Sequence, residues 1–210
     1  NKTMQAQIKK KDTYKMGIDT LFNLRRQLMQ TLVSFKEDLC REDFNAIPFI
    51  NADGYHSKTI AYSIWHIFRI EDIVAHTVIT EDEQVFFTGN YQVRINSPII
   101  TTGNELVKQQ IADFSKQLNL EELYSYIFEV RESTEKILER FSYDELKWKI
   151  PDERKGYLKS LNVVNCDEKA IWLIDYWCSK DIRGLIQMPF SRHWIMHTEA
   201  CLRIKNKMHS

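Results

Sequence analysis

Glycine and proline are scarce in this chain, six and four in 210 residues. So few turn residues argue against many short strands and for long helices. Cysteine is nearly as rare, and none of the four (Cys40, Cys166, Cys178, Cys201) forms a Cys-x-x-Cys pair. That excludes a disulfide scaffold or a zinc ribbon and reads as reduced thiols in a cytoplasmic protein. Net charge is also missing, with 29 Lys+Arg against 29 Asp+Glu. A nucleic-acid binder working by general phosphate attraction is therefore disfavoured, as is an anionic membrane partner. No run of 18 apolar residues occurs, so no transmembrane helix is expected. Residues 1–16 are Lys-rich and have no apolar stretch, so no signal peptide is expected. The chain opens on Asn1 rather than Met, which reads as a trimmed or engineered start.

What is present is apolar periodicity and aromatic content. Residues 1–11 read as a loose, charged lead-in to a single domain spanning 1–210. From residue 13 to about 40, Met16, Leu21, Leu24, Leu28, Leu32, Phe35 and Leu39 recur mostly at helical steps. Residues 41–58, with Pro48 and Asp53-Gly54, read as a connection. Residues 59–79 are the most apolar stretch, with Ser57 or Thr59 available as a cap, and predict a central, largely buried helix. Residues 80–102 read as a mixed stretch, with 91–95 a candidate extended segment. Helices are expected over 104–117, capped near Asn104, and over 119–141. Residues 142–165 read as another long polar connection. A helix over 167–181 should stop at Gly184, and a last helix, entered past Pro189, should run to about Lys205. Five or six helices, each with an apolar stripe to bury, predict an all-α bundle. The five Trp and nine Tyr are most economically core residues and interface anchors.

The chemistry-bearing residues are histidines. His193 and His197 are four apart, which on a helix places both rings on one face, where they can converge on a metal ion. His66 lies inside the most apolar helix. Read alone it is either a hydrogen-bonded core histidine or a further ligand. His76, ten residues on, falls about 280° around the helix and reads as structural. Cys201, one turn past His197, reads as a small core residue before it reads as a fourth ligand. Glu199, Asp72 and Tyr62 are candidates to orient the imidazoles.

The segment Thr59-Ile60-Ala61-Tyr62-Ser63-Ile64-Trp65-His66-Ile67, followed by Glu71-Asp72, resembles the second helix of the DinB-like family, also called the YfiT-like metalloenzymes. The His193-x-x-x-His197 helix, after a loop from Gly184 to Pro189, resembles that family's last helix. The resemblance covers about residues 13–205 as architecture, and only the two histidine helices carry specific motifs. It implies a four-helix bundle with extra short helices and long connections, often a homodimer. It also implies one divalent metal held by His66, His193 and His197, with zinc or nickel favoured by imidazole ligation. Known members include transferases that use a low-molecular-weight thiol of the bacillithiol or mycothiol kind, and a mycothiol-dependent isomerase. Where many members continue His-Arg-Gly-Gln, this chain has Thr198-Glu199-Ala200-Cys201, which sets its substrate side apart. The expected function is a metal-dependent thiol transferase acting on a small molecule. The alternative is a non-enzymatic bundle serving as a binding or stress-response module. A closed site, or histidines satisfied by hydrogen bonds, would favour the alternative.

Overall fold

A computed structural model describes residues 1–209. Those residues are mainly helical and form no named strand; one isolated bridge joins Lys149 and Asp181. The helices are α1 (Lys2–Ile8), α2 (Tyr14–Asp38), α3 (Arg41–Asn45), α4 (Ile60–Asp72), α5 (Val85–Thr88), α6 (Tyr91–Ile95), α7 (Gln109–Gln117), α8 (Leu120–Glu139), α9 (Glu153–Ser160), α10 (Glu168–Cys178), α11 (Ile182–Gln187) and α12 (His193–Met208). Two π-helical stretches continue them, Ile73–Thr80 after α4 and Met188–Arg192 between α11 and α12.

The elements that carry the site form as their sequences dictate. Thr59 caps α4 by accepting from the Tyr62 N–H at 3.0 Å, and every residue of that helix is buried. Asn119 and Asp167 cap α8 and α10 in the same way. Pro189 has no N–H to give, and the helix widens into a π turn where it sits. The chain thus passes from α11 into α12 without a loop.

α4 packs against α8 and α12, and α2 packs against the same two helices. Side-chain pairings fix the senses. Tyr124 donates to the Leu32 carbonyl and Lys36 pairs with Glu121, while Arg25 reaches Glu135, so α2 and α8 run antiparallel. Arg25 lies over Trp194 and Asp38 pairs with Lys205, so α2 and α12 run parallel. Trp194 donates to Glu71, and Ser63 lies near Cys201, so α12 opposes α4. The first and second long helices are therefore antiparallel, but they stand across the interior from each other rather than side by side.

One ion pair spans that interior. Arg25 makes two hydrogen bonds to the Glu71 carboxylate, at 2.7 and 2.9 Å, with both side chains fully buried. It also donates to the Phe190 carbonyl and to Glu135, and Trp194 Nε1 donates to Glu71 at 2.7 Å. This network separates two apolar clusters. Met29, Phe68 and Trp194 belong to one, and Leu21, Ile73 and Phe190 to the other. It pins α12 at the level of His193.

Several expectations need correction. Residues 1–11 are not a loose lead-in: α1 buries Met4 and Ile8 and lies so close to α2 that a Cβ on Gly17 would stand 2.5 Å from Ile8. Residues 91–95 are helical rather than extended, bracketed by Asn90 and Asn96 at positive φ. The helix expected from Asn104 begins only at Gln109. The 142–165 connection contains α9, whose Arg154 and Leu158 are buried. Gly184 does not stop a helix; it lies inside α11, where its N–H donates to the capping Asp181.

Candidate metal centre

The three predicted ligands come together. The nearest ring nitrogens of His66, His193 and His197 all lie within 4.8 Å of one another, and all three residues are buried. Ring centroids are 5.1 Å apart for His66–His193, 4.9 Å for His66–His197 and 4.6 Å for His193–His197. Among the described residues this is the only group of three or more His, Cys, Asp or Glu side chains so placed.

Two of the rings are held by neighbours outside the cluster. His66 Nδ1 stands 2.6 Å from the Thr102 carbonyl. A carbonyl only accepts, so Nδ1 carries the proton and Nε2 is left with its lone pair. Tyr62, one turn earlier, stacks on the ring at 5.2 Å and 12°, and its hydroxyl donates to the Gly103 carbonyl. Tyr55 meets His197 edge-on at 4.8 Å. Thr102 is held in place by Gly103, which has φ +76° and would press a Cβ to 2.8 Å from Trp65 and 3.0 Å from Tyr62. Gly103→Ala is accordingly expected to cost about 1–3 kcal/mol of stability. It should also weaken metal binding roughly tenfold by displacing the carbonyl that orients His66. Urea unfolding and metal titration of the variant check both effects.

The donor set suits a divalent metal. His193 Nδ1 and His197 Nδ1 are buried and have no hydrogen-bond partner among the described residues. Unpaired buried polar atoms are costly, and a shared cation is the partner that three converging imidazoles can bind together. Burial is the first cause that keeps the rings neutral, and the neighbouring imidazoles and Lys58 add to it. His66 is driven down to about 4, with the Thr102 hydrogen bond opposing the shift and Lys58 adding to it. His193 and His197 are pushed well below their ordinary value, again by burial first.

These depressed values have a sign. Above about pH 6.5 neither the folded nor the unfolded chain protonates these rings. As pH falls below that, the unfolded chain takes up protons that the folded chain refuses, so stability drops, for His66 down to about pH 4. Thermal melts of metal-free protein should fall in midpoint between pH 7 and pH 5. The slope is bounded by about 1.4 kcal/mol per pH unit per histidine, and saturating metal should raise the whole curve.

The rings form one wall of a cavity of about 350 Å³. Tyr62, His66 and Ile70 line it at four-residue steps on α4, facing Pro189, His193 and His197 at the same steps across from them. α10 contributes Trp172, Leu173, Tyr176 and Trp177, and the 54–58 segment contributes Tyr55 and Lys58. Sequence reasoning missed Lys58, Tyr55, Thr102 and the whole α10 wall. The sole available signal was the four-residue spacing of Trp172 and Tyr176.

Other candidates lie elsewhere. Asp72 is buried but accepts from the Val85 and Phe86 N–H groups and the Tyr126 hydroxyl. Glu199 is exposed and pairs with Arg203. Cys201 is a buried core residue whose thiol is pushed up to about 12 by burial, and it stands outside the histidine cluster. His76 is structural, as expected. Its Nδ1 donates to Asp82 at 2.7 Å and Ser133 reaches its Nε2 at 2.9 Å, tying the π-helical stretch after α4 to α8. The order matches a Ser-His-Asp relay, but the Asp82 side chain is 57% exposed, whereas such a relay works from a buried acid. Compared with family models and with curated proteins, the chain matches none.

Proposed function

We propose that the chain is a divalent-metal protein of the DinB-like type, its four long helices forming that family's four-helix bundle, and that it catalyses transfer of a low-molecular-weight thiol to a small electrophile. The observation that carries this reading is the convergence of three neutral, buried imidazoles on the wall of a cavity of small-molecule size. His66, His193 and His197 would hold the ion, with zinc or nickel favoured. When bound, the metal supplies Lewis acidity that lowers the pKa of a thiol or a water near it.

The chain's own residues set the rest. Tyr62 and the Thr102 carbonyl hold the His66 ring with Nε2 free. Leu173, Trp177 and Pro189 present an apolar surface that excludes water and strengthens electrostatic attraction within the cavity. Transfer breaks the thiol S–H bond, forms a sulfur–carbon bond to the electrophile and releases the leaving group with its electron pair; the proton passes to solvent at the mouth. Homodimer formation belongs to the same proposal. Exposed Phe128 and Trp148 supply apolar surface of the kind an interface covers.

The test is conjugation of a thiol to a chromogenic aryl halide by untagged protein loaded with zinc or nickel. The expected result is a rate above background that is lost with chelator and in His193→Ala. No rate above background would remove the transferase reading and leave the non-enzymatic bundle, and a rate indifferent to both would remove the metal centre from the reaction.

A further inference from the structure

The charge balance of the cavity points to what it binds. Lys58 is the one Lys or Arg lining it, and no Asp or Glu lines it among the described residues. Lys58 immediately precedes the cap of α4, is half-buried, and sits with its Nζ 5.5 Å from the centre of the Tyr62 ring. It makes no ion pair among the described residues. By contrast Lys36, Lys136, Lys147 and Lys155 each hold a carboxylate at 2.6–2.7 Å. No nearby acid acts on Lys58. Glu105 accepts from Thr101 through one oxygen and leaves the other buried without a partner on the Tyr62 side, and Asp53 and Glu199 line a separate groove beyond Tyr55, together with Arg203. Arg192 is exposed and outside that lining, though it acts on Tyr55 and Tyr176. Three neutral imidazoles offer nothing to offset the Lys58 charge, and a divalent metal would increase the imbalance.

The rest of the lining is aromatic and reachable. Trp172 is 49% exposed and stands against Tyr176 at 5.6 Å and 73°. A large indole left half in water at the edge of an apolar cavity gains by being covered with another ring.

We propose that this cavity binds a small aromatic monocarboxylate, its carboxylate at Lys58 and its ring against Trp172 and Tyr176. One lysine matches one negative charge, whereas a phosphate carries nearly two and calls for more donors. The inference rests on the reading of the cavity as a substrate site and names its electrophile as an aromatic acid.

The test follows tryptophan fluorescence of the full chain, metal-free and zinc-loaded, titrated with benzoate and with its neutral isostere benzamide at pH 7. Benzoate should give a saturable change in both forms and bind at least about tenfold more tightly than benzamide. Lys58→Met should lower benzoate affinity about tenfold in the metal-free protein, and Lys58→Arg should keep it within roughly threefold. No saturable change up to about 10 mM benzoate, equal affinity for the two ligands, or full benzoate affinity in Lys58→Met would overturn the proposal. Should Lys58→Met fail to fold, the benzoate preference of the unaltered protein decides. If metal analysis finds no ion but Lys58 still selects benzoate, the metal reading fails and this one stands. Bound zinc with an indifferent Lys58→Met is the reverse.

Discussion

Replacing any one of His66, His193 or His197 with Ala is expected to lower divalent-metal affinity on the order of a hundred- to a thousandfold, one ligand's share of a strong imidazole site. His76→Ala should leave metal affinity unchanged, because that ring is engaged by Asp82 and Ser133. Stability gives a sharper distinction. A structural histidine supports the fold through its hydrogen bonds, so removing it costs stability. His193 and His197 each keep an unpartnered, buried Nδ1, which burdens the metal-free fold. His193→Leu should therefore lower metal affinity by the same factor, on the order of a hundred- to a thousandfold, while leaving the metal-free melting temperature equal to or above that of the parent. Such a trade of stability against function is expected where residues are placed for a ligand. Differential scanning calorimetry with and without metal reads both effects. A large loss of stability in the metal-free variant would return these rings to a structural role.

The second large effect lies beneath the site. Glu71 and Arg25 are both fully buried, and each is the other's principal partner. Removing one leaves an uncompensated charge in the interior, which costs about 3–5 kcal/mol. That is a large part of the 5–15 kcal/mol typical of a folded domain. Glu71→Ala also strips the acceptor from Trp194 Nε1 and loosens α12 one residue from His193. Denaturant unfolding should show the full loss in Glu71→Ala or Arg25→Ala. The double change Arg25→Met with Glu71→Leu should recover much of it, since an apolar pair of similar volume replaces the buried ions. A double variant as unstable as the sum of the singles would show that the network acts through shape rather than charge.

Much of the fold was legible in the sequence because the long helices carry apolar stripes that only helical periodicity explains. Thr59, Asn119 and Asp167 mark three helix starts by side chains that do cap. The elements that were missed are short. α1 and α9 each bury two residues, too few for a periodic signal. Tyr91–Ile95 alternates apolar and polar residues over five positions, the period of a half-buried strand, on a stretch too short for helical periodicity to show. Neither π-helical stretch has a mark in local sequence beyond Pro189, since each depends on how the ends of two packed helices must meet.

The histidine cluster was legible for a similar reason. His193 and His197 share a face by spacing alone, and His66 is conspicuous as a polar ring in an apolar helix. Its union with that pair needs α4 and α12 to be neighbours, which the DinB-like resemblance implied and spacing did not. Lys58 and the α10 aromatics stayed hidden, because the 54–58 segment and α10 meet only through the tertiary fold. Thr102 acts through its backbone carbonyl, which no side-chain pattern records.

X-ray absorption at the metal edge, on untagged protein offered zinc and nickel in turn, tests the three-histidine centre most directly. One ion per chain is expected, coordinated by imidazole nitrogens at about 2.0–2.1 Å for zinc, with the imidazole signature lost in His197→Ala and retained in His76→Ala. Protein that takes up no stoichiometric metal, or a His197→Ala variant whose spectrum matches the parent, would contradict it.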